Sequence, residues 1–199
     1  MANIVLGMPT MGTVQAKTYE ALMKIKKEDN KVFPLITEYS LVYLARDNIV
    51  ARTLQNPEAD YLWFVDSDII PPAETLLALI ADDVDVVSAV YPYRTDGDDG
   101  IIGASKDLVP YLPNDLITYD DEGNPQAKML NAGRIGMGCC LIKRKVLEKV
   151  VQAYGTCFTP FQNIGEDYSF SDRAREQGFE LWIDGGVWCK HIGTKVYEV

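Results

Sequence analysis

Tyr61-Leu62-Trp63-Phe64-Val65 is an unbroken apolar run that stops abruptly on Asp66-Ser67-Asp68. Five aromatic or aliphatic residues without polar alternation predict a strand buried on both faces, in the middle of a sheet covered by helices on either side. Ile69 and Ile70 follow, Pro71 and Pro72 close the run, and Glu74 to Ala81 read as a helix. The acidic triplet therefore sits at the carboxyl end of a central strand, which is where open α/β sheets bind ligands. In an extended backbone alternate side chains share a face, so Asp66 and Asp68 are expected to converge while Ser67 points away. Carboxylates so placed repel each other unless a cation lies between them, and a divalent ion with oxygen ligands would serve. The competing reading is a capped strand end, because Asp and Ser are also turn and cap residues.

On either side, strands alternate with helices. Asn3 to Met8 predicts a strand, Pro9-Thr10-Met11-Gly12-Thr13 a loop, and Val14 to Lys27 a helix with Thr13 as its cap. Val32 to Tyr39 predicts a second strand and Leu44 to Leu54 a second helix. Arg46 and Asn48 near that helix start can face the strand ends, whereas Asp47 and Arg52 read as surface charges. This alternation predicts a mostly parallel sheet packed between helices. After a further buried strand over Asp85 to Val90, composition shifts: Thr95 to Lys128 is rich in Asp, Gly and Pro. It reads as a flexible acidic insertion at about 95–130, with a small hairpin near Leu116 to Tyr119.

Order resumes with the glycines of 131–138, a strand over Cys139 to Lys143 and a helix over Arg144 to Ala153. Gly165-Glu166-Asp167 opens a helix that runs to Gln177 and stops at Gly178. Acidic residues in a first turn also complement the helix dipole, so Glu166 and Asp167 have a purely structural reading too. Phe179 to Ile183 predicts a strand, Asp184-Gly185-Gly186 a turn, and Val187 to Lys190 an apolar lead into His191, the only histidine.

With 199 residues, 47% of them hydrophobic, the chain can bury a sizeable core as one domain. A net charge of −10 disfavours a nucleic-acid backbone as partner. No apolar run reaches membrane-spanning length and Met1-Ala2-Asn3-Ile4 lacks the basic segment of a signal peptide, so a cytoplasmic protein is expected. Cys139, Cys140, Cys157 and Cys189 form no Cys-x-x-Cys spacing and read as free thiols buried in strands.

In order along the chain stand Ala45-Arg46-Asp47-Asn48, Phe64-Val65-Asp66-Ser67-Asp68, Tyr91-Pro92, Gly136-x-Gly138, Gly165-Glu166-Asp167 and a late His191. Together these resemble the GT-A glycosyltransferases, most closely their small inverting bacterial and phage-type members of the family 2 kind. The resemblance spans almost the whole chain. It implies a single GT-A catalytic domain, a Rossmann-like αβα sandwich, over residues 1–199. It further implies Mn²⁺ or Mg²⁺ held by Asp66, Asp68 and His191 on the diphosphate of a nucleotide-sugar donor, with UDP-sugar as the family default. Asp167 is implied as the general base that deprotonates an acceptor hydroxyl, with Glu166 able to exchange roles with it. Nucleotide and phosphate contacts are implied for Pro9, Thr10, Arg46, Asn48, Asp66, Ser67 and Lys195, and the sugar side for Gly136 and Gly138.

The chain departs from the family in being short, with little after His191 to build an acceptor platform. The acceptor, whether glycan, protein, lipid or modified nucleic-acid base, would then be met by the insertion or by another copy in a homo-oligomer. Two rivals remain at this stage. A nucleotidyltransferase shares the sheet, the cation and the nucleotide, but Gly7 to Thr13 has no lysine or arginine. A non-catalytic nucleotide-binding or assembly module would keep the fold without the chemistry.

Overall fold

The computed structural model describes residues 1–92, 101–102, 104–106, 109–161 and 163–193. The first half runs β1 (Asn3–Thr10), α1 (Ala16–Met23), β2 (Lys31–Glu38), α2 (Val42–Gln55), β3 (Tyr61–Val65), β4 (Ile69–Ile70), α3 (Thr75–Ala81) and β5 (Val86–Pro92). Short strands follow: β6 (Ile101–Ile102), β7 (Ala104–Lys106), β8 (Val109–Pro110), β9 (Ile117–Tyr119), β10 (Pro125–Ala127), β11 (Met129–Ala132) and β12 (Arg134–Ile135). The chain closes with β13 (Cys139–Lys143), α4 (Arg144–Tyr154), α5 (Glu166–Glu176), β14 (Leu181–Trp188) and β15 (Lys190–His191).

The central sheet has the order β11-β14-β5-β13-β3-β1-β2, with β6 paired to β5 beside it. β2, β1, β3, β5 and β14 run one way, so the sheet is mostly parallel as expected. β13 lies antiparallel between β3 and β5. The chain leaves β5 at the carboxyl ends of the parallel strands and re-enters there, with Cys139 opposite Val65, so β13 can only run back down.

The Tyr61–Val65 run does what its composition demands: Leu62, Trp63, Phe64 and Val65 are all 0% exposed. Pleating sends Leu62 and Phe64 into a core shared with Ile49 of α2, Leu147 of α4 and Phe170 of α5. Trp63 and Val65 point the other way, toward Leu76 and Leu79 of α3. Each such side chain contributes about 1.5–3 kcal/mol on burial. No helix among the described residues is long and apolar enough to cross a membrane.

Several boundaries differ from expectation. α1 begins at Ala16 behind Gln15, not at Val14 behind Thr13, and stops at Met23, short of Lys27. Thr13 is drawn into the loop: its carbonyl accepts the Thr10 hydroxyl at 2.7 Å, while Thr10 Oγ1 accepts the Gly12 N–H. The Asp184–Gly186 turn is absent, because β14 passes through it with a bulge that shifts Trp188 onto Val90. Gly185 permits this continuity, since a Cβ there would lie 2.6 Å from the Lys128 carbonyl oxygen. The expected hairpin is present as β9 paired with β10. All four cysteines are free and buried, but only Cys139 and Cys140 lie in a strand; Cys157 is in the loop after α4 and Cys189 sits between β14 and β15.

Candidate active site

The triplet after β3 is pinned by the backbone on three sides. Asp66 N–H donates to Gly138 O at 2.9 Å, Ser67 O accepts Gln15 N–H at 2.9 Å, and Asp68 O accepts Ile192 N–H at 2.9 Å. Ile69 N–H also donates to Asp66 O at 3.1 Å, so Asp66–Ile69 is a turn and not extended strand. The alternation that would have aimed Asp66 and Asp68 at one point, with Ser67 turned away, is therefore lost. All three line a cavity of about 430 Å³ at the carboxyl ends of the parallel strands.

Asp66 turns to Arg46. Arg46 Nη2 donates to Asp66 Oδ1 and Oδ2 at 3.0 and 3.1 Å, and Arg46 Nε lies 3.5 Å from Glu166 Oε1. The guanidinium is 3% exposed and sits 5.1 Å above the Phe64 ring, while its Nη1 makes no hydrogen bond among the described residues. Burial pushes the Asp66 carboxyl above the usual carboxylate range and Arg46 opposes that push.

Asp47, expected as a surface charge, is an anchor. Its Oδ1 accepts the N–H groups of Cys157 and Phe158, both at 2.9 Å, and its Oδ2 accepts the hydroxyls of Thr156 and Thr159. From the other side Arg173 donates to Cys157 O at 2.8 Å and Thr159 O at 2.7 Å. The loop so clamped presents Phe158, fully buried, to Phe64, Phe170 and the Arg46 guanidinium.

Glu166 and Asp167 open α5 at the cavity wall. The helix is fixed by two Arg134–Asp172 hydrogen bonds of 2.8 and 2.7 Å, and by Ser171, which accepts Ile135 N–H and donates to Asp167 O. Asp167 Oδ1 accepts the Tyr168 N–H at 2.8 Å. Burial first, then the charge of Glu166, pushes the Asp167 carboxyl up to about 6, with Arg46 pulling it back. That value lies where a carboxylate can act as a general base near neutral pH.

β15 pairs antiparallel with β4, with His191 opposite Ile69, and this carries the imidazole to Asp68. His191 Nδ1 is 3.0 Å from the Pro92 carbonyl oxygen, which can only accept, so Nδ1 carries a proton, and in the neutral form of the ring the lone pair is at Nε2. Nε2 lies 3.6 Å from Asp68 Oδ1. In that neutral form, Nε2 and the Asp68 carboxylate are two ligand types that a divalent cation accepts, with the imidazole oriented by the carbonyl at its other nitrogen. Tyr91 stands edge-on to the His191 ring at 6.0 Å, and its hydroxyl accepts the Gly138 N–H at 2.9 Å.

Of the residues expected from sequence, Pro9, Thr10, Arg46, Asp66, Ser67, Asp68, Gly138, Glu166, Asp167 and His191 line this one cavity. Asn48 and Gly136 do not line it, and Gly136 instead offers its carbonyl to Ser88. Lys195 lies outside the described residues. Asp66, Asp68 and His191 are not gathered as one ligand set, and no cluster of three or more His, Cys, Asp or Glu ready for a metal occurs among the described residues. Tyr39, Val42, Gln15 and Met137 also line the cavity. Nothing in their local sequence marks them, whereas Tyr91, which also lines the cavity, stands in the Tyr91-Pro92 pair at a strand end.

No protein-family model and no curated protein sequence matches the chain. Among solved structures, A197 from STIV is similar over 98% of this chain and 87% of its own, with a TM-score of 0.67 and 20% identity. GalNAc-T7, solved with UDP, GalNAc and Mn²⁺, is similar over 97% of this chain, with a TM-score of 0.60 and 12% identity. The chain has a GT-A-like fold. It spans 44% of the GalNAc-T7 chain, and at these identities the likeness to both proteins is one of fold.

Proposed function

We propose that this GT-A-like chain is one catalytic domain that transfers a sugar from a nucleotide-diphosphate donor, UDP-sugar by preference, to an acceptor hydroxyl with inversion. The observation that carries the reading is that Asp68, His191 and Asp167, from three separate segments, line one cavity at the strand ends. Asp68 and His191 would hold Mn²⁺ or Mg²⁺, with the remaining positions left to the donor's diphosphate oxygens. When bound, such an ion stabilises the charge that develops on the departing nucleoside diphosphate. Arg46 holds Asp66 and Glu166 in place and keeps a buried Nη1, without a hydrogen bond among the described residues, as a donor to an incoming anion.

Asp167 accepts the acceptor's hydroxyl proton at Oδ2, since Oδ1 is already engaged by Tyr168 N–H. A base so placed serves a single displacement, which inverts the sugar's configuration. A nucleotidyltransferase is less well served, because the loop from Pro9 to Thr13 at the cavity offers no side-chain cation to a triphosphate. The test is incubation with UDP-, GDP-, CDP- and ADP-sugars with Mn²⁺, following release of the nucleoside diphosphate. Release that is lost in Asp68→Ala and in Asp167→Asn supports the transferase; no release from any donor removes it.

A further inference from the structure

A second cavity, of about 360 Å³, lies on the opposite face of the sheet edge from α2. Its floor is one pleat face of three strands: Leu6 and Met8 of β1, Val32, Pro34 and Ile36 of β2, and Trp63 of β3. The alignment is direct, with Leu6 opposite Pro34 and Met8 opposite Ile36. α1 roofs it through Tyr19, Leu22 and Met23, but the helix has only eight residues and ends before it covers the edge strand. Ile36 is thus left 57% exposed and Met23 69%. The volume is more than twice the ~150 Å³ that suffices to hold benzene, and it falls within the range of ligand pockets, about 300–1,000 Å³.

Lys27 is the one charged residue among those lining the recess, and it forms no ion pair with a described residue. Lys24, Lys26 and Lys31 are exposed nearby in sequence, Lys26 is paired with Glu74, and the exposed Glu28 and Asp29 that follow Lys27 do not line the recess. The recess runs from Met8 and Ile36 near the candidate active site to Val32 and Lys27 at the other end of the strands. Its floor from Val32 to Ile36 is roughly 13 Å long. An apolar trough of chain-like length with one cation at its end is complementary to an amphiphile, tail along the strands and anion at Lys27.

We infer that this recess binds the single hydrocarbon chain of an anionic amphiphile, with its carboxylate or phosphate at Lys27. The inference stands apart from the transferase reading, because its binding is read without donor or metal. Val14 lines this recess while its neighbours Thr13 and Gln15 line the other cavity. A bound chain would therefore brace the loop that borders the candidate active site.

The experiment is calorimetric titration of the full chain with octanoate, decanoate and dodecanoate below their micelle concentrations, and with dodecylamine. Affinity should tighten about fourfold per added methylene, the factor that burial of one CH₂ supplies. Dodecylamine should bind at least tenfold more weakly than dodecanoate, and Lys27→Glu should abolish that preference. Ile36→Trp, at an exposed lining position, should weaken dodecanoate at least tenfold. Equal affinity along the length series, or unchanged affinity in Ile36→Trp, overturns the inference. Sedimentation with anionic phospholipid vesicles separates the sources: binding of both monomer and vesicle extends the ligand to bilayer lipid, whereas vesicle binding without monomer binding contradicts a chain-holding recess. A dimer that Ile36→Trp breaks, in a chain that binds no amphiphile, assigns the face to a second copy instead.

Discussion

One nitrogen of Arg46 serves both oxygens of Asp66, at 3.0 and 3.1 Å, in a guanidinium that is 3% exposed. The pair divides the acidic triplet into two jobs, with Asp66 bound to the arginine and Asp68 directed to His191. Removing one member of a buried ion pair leaves the other uncompensated. Arg46→Met is therefore expected to lose about 3–5 kcal/mol of stability. Adding Asp66→Asn should restore part of the loss, because the stranded charge goes with it. Denaturant titration of the single and double variants measures this, and strictly additive losses would contradict the coupling.

Asp167 gives a pH dependence with a defined sign. Its carboxyl is raised from 3.8 to about 6, first by burial and then by Glu166. A base must be deprotonated, so kcat/KM for transfer should fall about tenfold per pH unit below about 6. Stability moves oppositely. A raised folded pKa makes a contribution that is fully present below 3.8 and lost as pH rises through about 6. Asp167→Asn should flatten both profiles while leaving donor binding intact; an acid limb that persists in that variant removes Asp167 from the base role.

The Asp47 carboxylate is the hub of the 156–159 loop, accepting two backbone N–H groups and two hydroxyls. Asp47→Ala should destabilise the fold by about 3 kcal/mol, since buried donors to a charged acceptor are left unmade. Amide exchange at Cys157 and Phe158 should rise with it. Unaltered protection at those two amides would show that the loop is held by other means.

Gly138 is a steric choice. A Cβ there would lie 2.7 Å from Tyr91 Cζ, and Tyr91 is buried at 4% exposure against His191. Gly138→Ala should cost about 1–3 kcal/mol through overpacking. It should also weaken metal-dependent nucleotide binding by shifting the Tyr91–His191 contact. Tyr91→Phe in the same background frees little space, so it should rescue neither effect.

The buried β3, the alternation that builds the sheet and the glycine ending α5 were legible, because apolar periodicity and chain punctuation are local properties. The position of the acidic triplet was legible for the same reason: residues closing a central parallel strand can only lie at the sheet's carboxyl edge. Local pattern could not show that Asp66 meets Arg46, twenty residues earlier, or that a turn at Ile69 removes the extended alternation between Asp66 and Asp68. Asp47 was misread because its partners lie more than a hundred residues away in sequence. α1 was read too long because its apolar spacing continues to Ile25, a buried residue, although the helix itself has ended at Met23. Conversely, β14 was broken too early, since Asp-Gly-Gly suggests a turn wherever a second backbone does not lie against it.

Asp68 and His191 are proposed to bind a divalent cation together with a nucleoside diphosphate. Thermal unfolding of the wild-type chain, Asp68→Ala and His191→Ala, with UDP, GDP, CDP or ADP and either Mn²⁺ or EDTA, tests it most directly. One diphosphate is expected to stabilise the wild type only when Mn²⁺ is present, by about 2.7 kcal/mol at a hundredfold excess over Kd, and to stabilise neither variant. Stabilisation that survives EDTA, or that persists in Asp68→Ala, would contradict it.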